Sequence, residues 1–256
     1  MEIFDAHVQF GPGLANFYDE YPPLYALETG EQVLSVMDEV NVRRALVFAP
    51  RWQGGDFIDP EYETANGAIR QAVRNAKGRM VGLCRVNPNY GKRAHDALDR
   101  GLKTEGFRGL YLDPAGDGFN VNNAKTVPPL MEIVQAAGAP VLVDTTWAPA
   151  EAGIILRLAE AWPKTTIIMG HMGQRLIADA LIVAVRAQNV MLETSQCVDA
   201  FINQAVRRIG ASRIVWGSGL PFHIPASEIM KVDRLRKVSQ EDKAAIFGGN
   251  LKAIFG

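Results

Sequence analysis

Short apolar runs rich in β-branched residues recur along the chain, separated by longer stretches whose apolar positions return every three to four residues. The first kind of run suits a strand buried on both faces and the second an amphipathic helix, so their alternation predicts parallel strands joined by crossover helices. Eight strands are expected, at Glu2–His7, Arg44–Phe48, Met80–Val86, Gly109–Leu112, Val141–Thr145, Thr166–Met169, Val190–Glu193 and Ile214–Trp216. Helical spacing follows each of them, as in Val33, Leu34, Met37, Val40 and in Ile154, Ile155, Leu158, Ala159. Gly78, Gly138 and Gly210 stand where helix C-terminal caps would fall. Spread over 256 residues, eight units take about 32 residues each, close to what a strand–helix unit needs. The expected architecture is one (β/α)8 barrel domain spanning residues 1–256. An open doubly wound sheet is the alternative, but Phe10-Gly11-Pro12-Gly13 after the first strand does not open a helix as a dinucleotide-binding turn would.

Composition narrows the partners. Hydrophobic residues make up 48% of the chain, enough for a large core. A formal charge of −1, with both signs interspersed, supplies no field for nucleic acid or an anionic membrane, so a small molecule is the expected partner. The N-terminus lacks the basic start and apolar run of a signal peptide, and a cytoplasmic location is expected. Cys84 and Cys197 are far apart and provide neither a disulfide framework nor a cysteine metal motif. A homodimer is the simplest assembly, and Ile177, Leu181 and Val185 are either barrel-facing or interfacial. Two connections are long: residues 10–30, where Phe17, Tyr18, Tyr21 and Tyr25 could form an aromatic lid, and residues 114–127, rich in Gly and Asn.

In such a barrel the reactive groups sit at the C-terminal ends of the strands, and here those ends are polar. The first strand delivers His7 and Gln9, the fourth Asp113, the fifth Asp144, the sixth His171 and the seventh Glu193, while Arg85 lies near the end of the third and Arg51 just beyond the second. His223 follows the eighth strand on a loop that could reach the mouth. Ser195 and Ser218 lack a nucleophile-elbow pattern, Asp5 reads as a turn or supporting residue, and His95 lies on a helix face, where it reads as a surface residue.

Several segments then resemble the amidohydrolase superfamily, in the branch grouped as amidohydrolase family 2. Asp5-Ala6-His7-Val8-Gln9 is similar to its opening Asp-Ala-His-x-His, Gly170-His171-Met172-Gly173 to its Gly-His-x-Gly, and Gly217-Ser218-Gly219-Leu220-Pro221-Phe222 to its Gly-Ser-Asp-x-Pro-Phe. The resemblance implies a divalent metal held by both histidines of the first motif, a fifth-strand His and the eighth-strand Asp, with the sixth-strand His nearby. His7 and His171 match that pattern, whereas Gln9, Asp144 and Gly219 replace the other three. In the family the eighth-strand carboxylate also takes the proton from the attacking water, so its replacement by Gly219 removes the usual base. No cofactor is therefore expected; were zinc held, His7, Asp144 and His171 would be its ligands. The expected catalytic groups are His7, Asp144, His171, Asp113 and Glu193, with Asp144 and His171 as an acid/base dyad and Gln9, Arg51, Arg85 and His223 binding substrate. The expected function is hydrolysis, or a related lyase step, on a small cyclic or carboxylated molecule with weakened metal dependence. The alternative is an inactive relic that serves as a small-ligand binder or scaffold.

Overall fold

Eight parallel strands follow one another around a single sheet in chain order. They are β1 (Ile3–Gln9), β2 (Val42–Phe48), β3 (Met80–Arg85), β4 (Gly109–Leu112), β5 (Val141–Val143), β6 (Ile167–Met169), β7 (Val190–Glu193) and β8 (Ile214–Val215). The computed structural model describes residues 2–12, 14, 23–51, 59–149 and 151–256. The last strand returns to the first through backbone bonds from Ala6 N to Trp216 O and from Gln9 N to Leu220 O. The chain is thus a single-domain (β/α)8 barrel.

Several strands differ in extent from their expected spans, and the differences have local causes. β1 runs on to Gln9 because Val8 and Gln9 still pair with Val47 and Phe48. β5 stops at Val143 because the Asp144 carboxylate turns back to accept the Thr146 N–H at 2.8 Å, an Asx turn that ends the ladder.

Alternation along each strand separates two cores. Outward residues pack under the helices, while Phe4, Leu46, Phe48, Leu83, Leu142 and Ile168 point into the barrel, which Leu251 and Phe255 of the C-terminal helix close from below. Continuing the inward series up each strand gives Arg85, Asp113, Asp144 and Glu193, so each inner face is apolar at the bottom and polar at the top. β1 shifts phase on the way up: Val8 lies three positions beyond Asp5 while their partners Ala45 and Val47 lie two apart. This bulge leaves Val8 and Phe10 in the outer core and turns His7 and Gln9 inward, a common use of bulges beside sites.

The helices follow their apolar faces. Helix α1 (Gly30–Glu39) starts with a reciprocal capping box between Thr29 and Gln32. Gly138, at φ +62°, adopts the left-handed conformation of a helix C-terminal cap. In the helix Ile177–Arg186, Ile177 and Leu181 are buried against the barrel while Ile182 and Val185 are exposed. His95 is half-buried rather than on the open surface. Tyr25 packs against the outer core, and the remaining aromatics proposed as a lid lie outside the described residues. Among the described residues, no helix is long and apolar enough to cross a membrane.

Candidate active site

The polar strand ends open into a cavity of about 610 Å³ at the C-terminal mouth of the barrel. His7, Asp144 and His171 form its floor, with an atom of each within 4.8 Å of the others. Gln9, Arg51, Asp113 and His223 stand on its walls. Arg85, expected to bind substrate, and Glu193, expected among the catalytic groups, do not line it; both side chains are fully enclosed.

Glu193 sits behind the two imidazoles. Its Oε2 lies 3.2 Å from Nδ1 of His7, close enough for an ion pair though without the alignment of a hydrogen bond, and 3.9 Å from Nδ1 of His171. It also accepts the backbone N–H of His171 at 3.0 Å, the hydroxyl of Ser195 at 2.8 Å and the backbone N–H of Ser195. Ser195 Oγ is in turn 2.8 Å from Nδ1 of His171. Burial pushes the Glu193 carboxyl up, but the close approach and charge of His7 and the charge of His171 outweigh it and bring its pKa down to about 2.

With both Nδ1 atoms turned to Glu193, the Nε2 atoms face the cluster. Gln9 Nε2 is 3.3 Å from His7 Nε2, and Asp144 Oδ2 is 3.4 Å from His171 Nε2. Tyr111 donates its hydroxyl to the same Asp144 oxygen at 3.3 Å. Burial alone would raise the Asp144 pKa, yet the facing His171 holds it well below the usual carboxylate range; His171 is raised by the same pairing against its own burial. His171 reaches this position through a tight turn, at φ +59°, in a segment where Met172 and Gln174 also have positive φ. Such backbone strain persists where surrounding contacts over-determine it.

The walls carry a second network. Arg51 forks onto Asp113, Nε to Oδ2 at 2.8 Å and Nη2 to Oδ1 at 2.9 Å. Arg85 reaches the same Asp113 from behind at 3.0 Å and Asp117 at 3.2 Å, with its guanidinium over the Tyr62 ring. Burial penalises both guanidinium charges, but Asp113 beside Arg51, and Asp117 with Tyr62 and Asp113 beside Arg85, more than compensate and both pKa values are raised. The place expected for Arg85 is corrected accordingly: the inward phase of β3 puts it beneath the wall, where it fixes Asp113.

In the sequence, Ser195 is weighed only as a nucleophile and Gly217 only as part of a motif; their supporting roles beside Glu193 are missed. Ser195 follows the end of β7 two residues beyond Glu193, in the same inward phase, a spacing that could have flagged it. Gly217 leaves the room that the Glu193 carboxylate fills, since a Cβ there would collide with Oε1 of Glu193.

Two imidazole nitrogens and a carboxylate oxygen suit a divalent first-row cation. Ligand bonds of about 2.1 Å span donors up to about 4.2 Å apart, so atoms already gathered this closely need small adjustments. The carboxylate behind the imidazoles is the support that metal-binding histidines ordinarily have.

The family model described as amidohydrolase matches residues 4–256. No curated protein matches the chain. Among solved structures, the chain is similar to 5-carboxyvanillate decarboxylase from Novosphingobium aromaticivorans, complexed with manganese and 4-hydroxy-3-methoxy-5-nitrobenzoic acid, at TM-score 0.80 and 17% identity over 99% of this chain and 96% of that one. It is similar to a dihydroxybenzoic acid decarboxylase from Polaromonas, with bound manganese and 2-nitroresorcinol, at TM-score 0.79 and 19% identity over 99% and 96%. A 2,6-dihydroxybenzoate decarboxylase from Rhizobium aligns at TM-score 0.78 and 16% identity over 100% and 98%. At these identities the likeness is one of fold. The expectation of a pocket without a cofactor is nonetheless corrected: structures of this fold hold manganese, and the replaced ligand positions have not dispersed the donors, because Asp144 joins His7 and His171 in one cluster.

Proposed function

The chain belongs to the amidohydrolase family, and from that premise we propose that it is a metal-assisted lyase that decarboxylates a small hydroxylated aromatic acid. The observation that carries this reading is the pairing, in one cavity, of the His7–Asp144–His171 cluster with the Arg51 guanidinium, while position 219 offers no carboxylate. Hydrolysis needs a base for the attacking water, which the family takes from that position; loss of carbon dioxide needs no nucleophilic water. The decarboxylases of similar fold act on aromatic acids, which supports the substrate class.

His7, Asp144 and His171 would hold the cation, and Glu193 keeps both imidazoles turned toward it. When bound, the cation supplies positive charge against the oxygens of an acidic substrate. Arg51, fixed by Asp113, offers a planar cation to a substrate carboxylate on the cavity wall. Asp113, locked between Arg51 and Arg85, acts by holding that guanidinium in place.

The test is protein purified without chelator, analysed for metal and assayed with hydroxybenzoates, lactones and amides. Carbon dioxide release from a hydroxylated aromatic acid, lost on chelation and in His171→Ala, is expected. Turnover of lactones or amides alone would make the protein a hydrolase, and no turnover with manganese restored would favour a ligand-binding barrel.

A further inference from the structure

Gly219 has φ +68°, and a Cβ built there would lie 3.0 Å from Cδ2 of the His223 ring and 3.2 Å from Cβ of Ser195. The imidazole thus borders the space into which a side chain at 219 would grow. Among the described lining residues, His7, Asp144 and His171 belong to the cluster and Asp113 is bound to Arg51. His223 is the titratable group on the wall that is left with neither duty, and with 35% of its side chain exposed it can exchange protons with water at the mouth.

We propose that His223 takes the place of the missing eighth-strand carboxylate as the proton-transfer group of this cavity, an assignment that rests on the decarboxylase reading. The protonated ring delivers its proton to the substrate carbon that bears the carboxylate. The bond between that carbon and the carboxylate then breaks, its electron pair returns to the aromatic ring, and carbon dioxide leaves. The neutral imidazole regains a proton from water.

The local charges fit such a cycle. Nδ1 of His223 is 4.0 Å from Glu228 Oε1, which Lys231 holds at 2.6 Å. Burial, together with His171, Lys231 and His7, pushes the ring's pKa down to about 4, against a smaller opposing effect of Glu193. The ring is therefore neutral at pH 7 until an anionic substrate enters, and the carboxylate's charge then favours the protonated form.

The experiment compares wild type, His223→Gln and His223→Ala in two assays: carbon dioxide release from hydroxybenzoates, and exchange of resorcinol ring protons in D2O followed by NMR. Exchange reads proton transfer to carbon without any decarboxylation. Both rates should fall by about 100-fold in His223→Gln, the scale of a lost general acid, with manganese affinity and Tm unchanged. Added imidazole should restore part of the rate in His223→Ala. If His223→Gln retains wild-type carbon dioxide release within about threefold, the assignment is overturned while the decarboxylase reading stands. If wild type releases no carbon dioxide yet exchanges resorcinol through His223, the reading fails and the proton-transfer role holds. Absence of both activities in wild type overturns both.

Discussion

The carboxylate of Glu193 lies 3.2 Å from Nδ1 of His7, behind an imidazole whose other face borders the cavity. One enclosed anion thereby sets the direction of two imidazoles that descend from different strands. Glu193→Gln keeps the shape and removes the charge, so manganese affinity measured by titration calorimetry should fall by roughly 10- to 100-fold. An unchanged affinity would mean that Glu193 is a passive filler. The carboxylate also stabilises the fold: its pKa is lowered from 4.5 to about 2, so its contribution is present above pH 4.5 and is lost as pH falls toward 2. The variant should be less sensitive to acid over that window.

Gly217 tests the same relationship sterically. In Gly217→Ala the new methyl group would meet Oε1 of Glu193 and approach Cβ of His7 at 3.1 Å. Glu193 is enclosed and cannot swing into solvent, so the collision should cost about 1–3 kcal/mol of stability and weaken manganese binding together. Denaturant unfolding and calorimetry on the same preparation check both. Full retention of both properties would show that the carboxylate has room to move.

These two positions mark where the sequence stopped being legible. The barrel was readable because strand and helix periods alternate along the chain, and the polar strand ends were readable because inward residues occur every second position. That Arg85 and Glu193 lie behind the cavity wall was not readable, since the same inward phase serves a residue that lines a cavity and one that supports it from beneath. The metal expectation failed for a related reason. Counting replaced family ligands treated Asp144 as a loss, whereas the turn after β5 sets its carboxylate 3.4 Å from His171. The phase shift in β1 comes from one extra residue whose pairing is decided by β2, and nothing local to Asp5–Val8 announces it.

Glu228 makes a pH dependence of the opposite sign. Burial raises its pKa from 4.5 to about 7 despite the hydrogen bond from Lys231, and its Oε2 has no hydrogen-bond partner among the described residues. Between pH 4.5 and 7 the folded state therefore holds a proton that the unfolded chain has released, and stability falls as pH rises. For one proton the slope is at most about 1.4 kcal/mol per pH unit. Glu228→Gln should flatten the decline of stability across this interval. Parallel curves for the two proteins in urea titrations at pH 5, 6 and 7 would exclude the effect.

Restoring the family carboxylate at position 219 should not by itself restore a metal ligand. Asp at φ +68° adopts a conformation that costs an L residue about 1 kcal/mol or more, and its Cβ would press on His223 and Ser195 at 3.0 and 3.2 Å. Gly219→Asp is therefore expected to lower the Tm and to leave manganese affinity no better than that of wild type. Removing the obstructing ring in Gly219→Asp/His223→Ala should relieve the contact and allow the carboxylate to turn toward His7 and His171. Calorimetric titration with manganese distinguishes the outcomes. Tighter binding in the double variant alone would establish that the imidazole and the carboxylate compete for one space. Tighter binding already in Gly219→Asp would show that the space is open and that His223 does not stand in for the absent group.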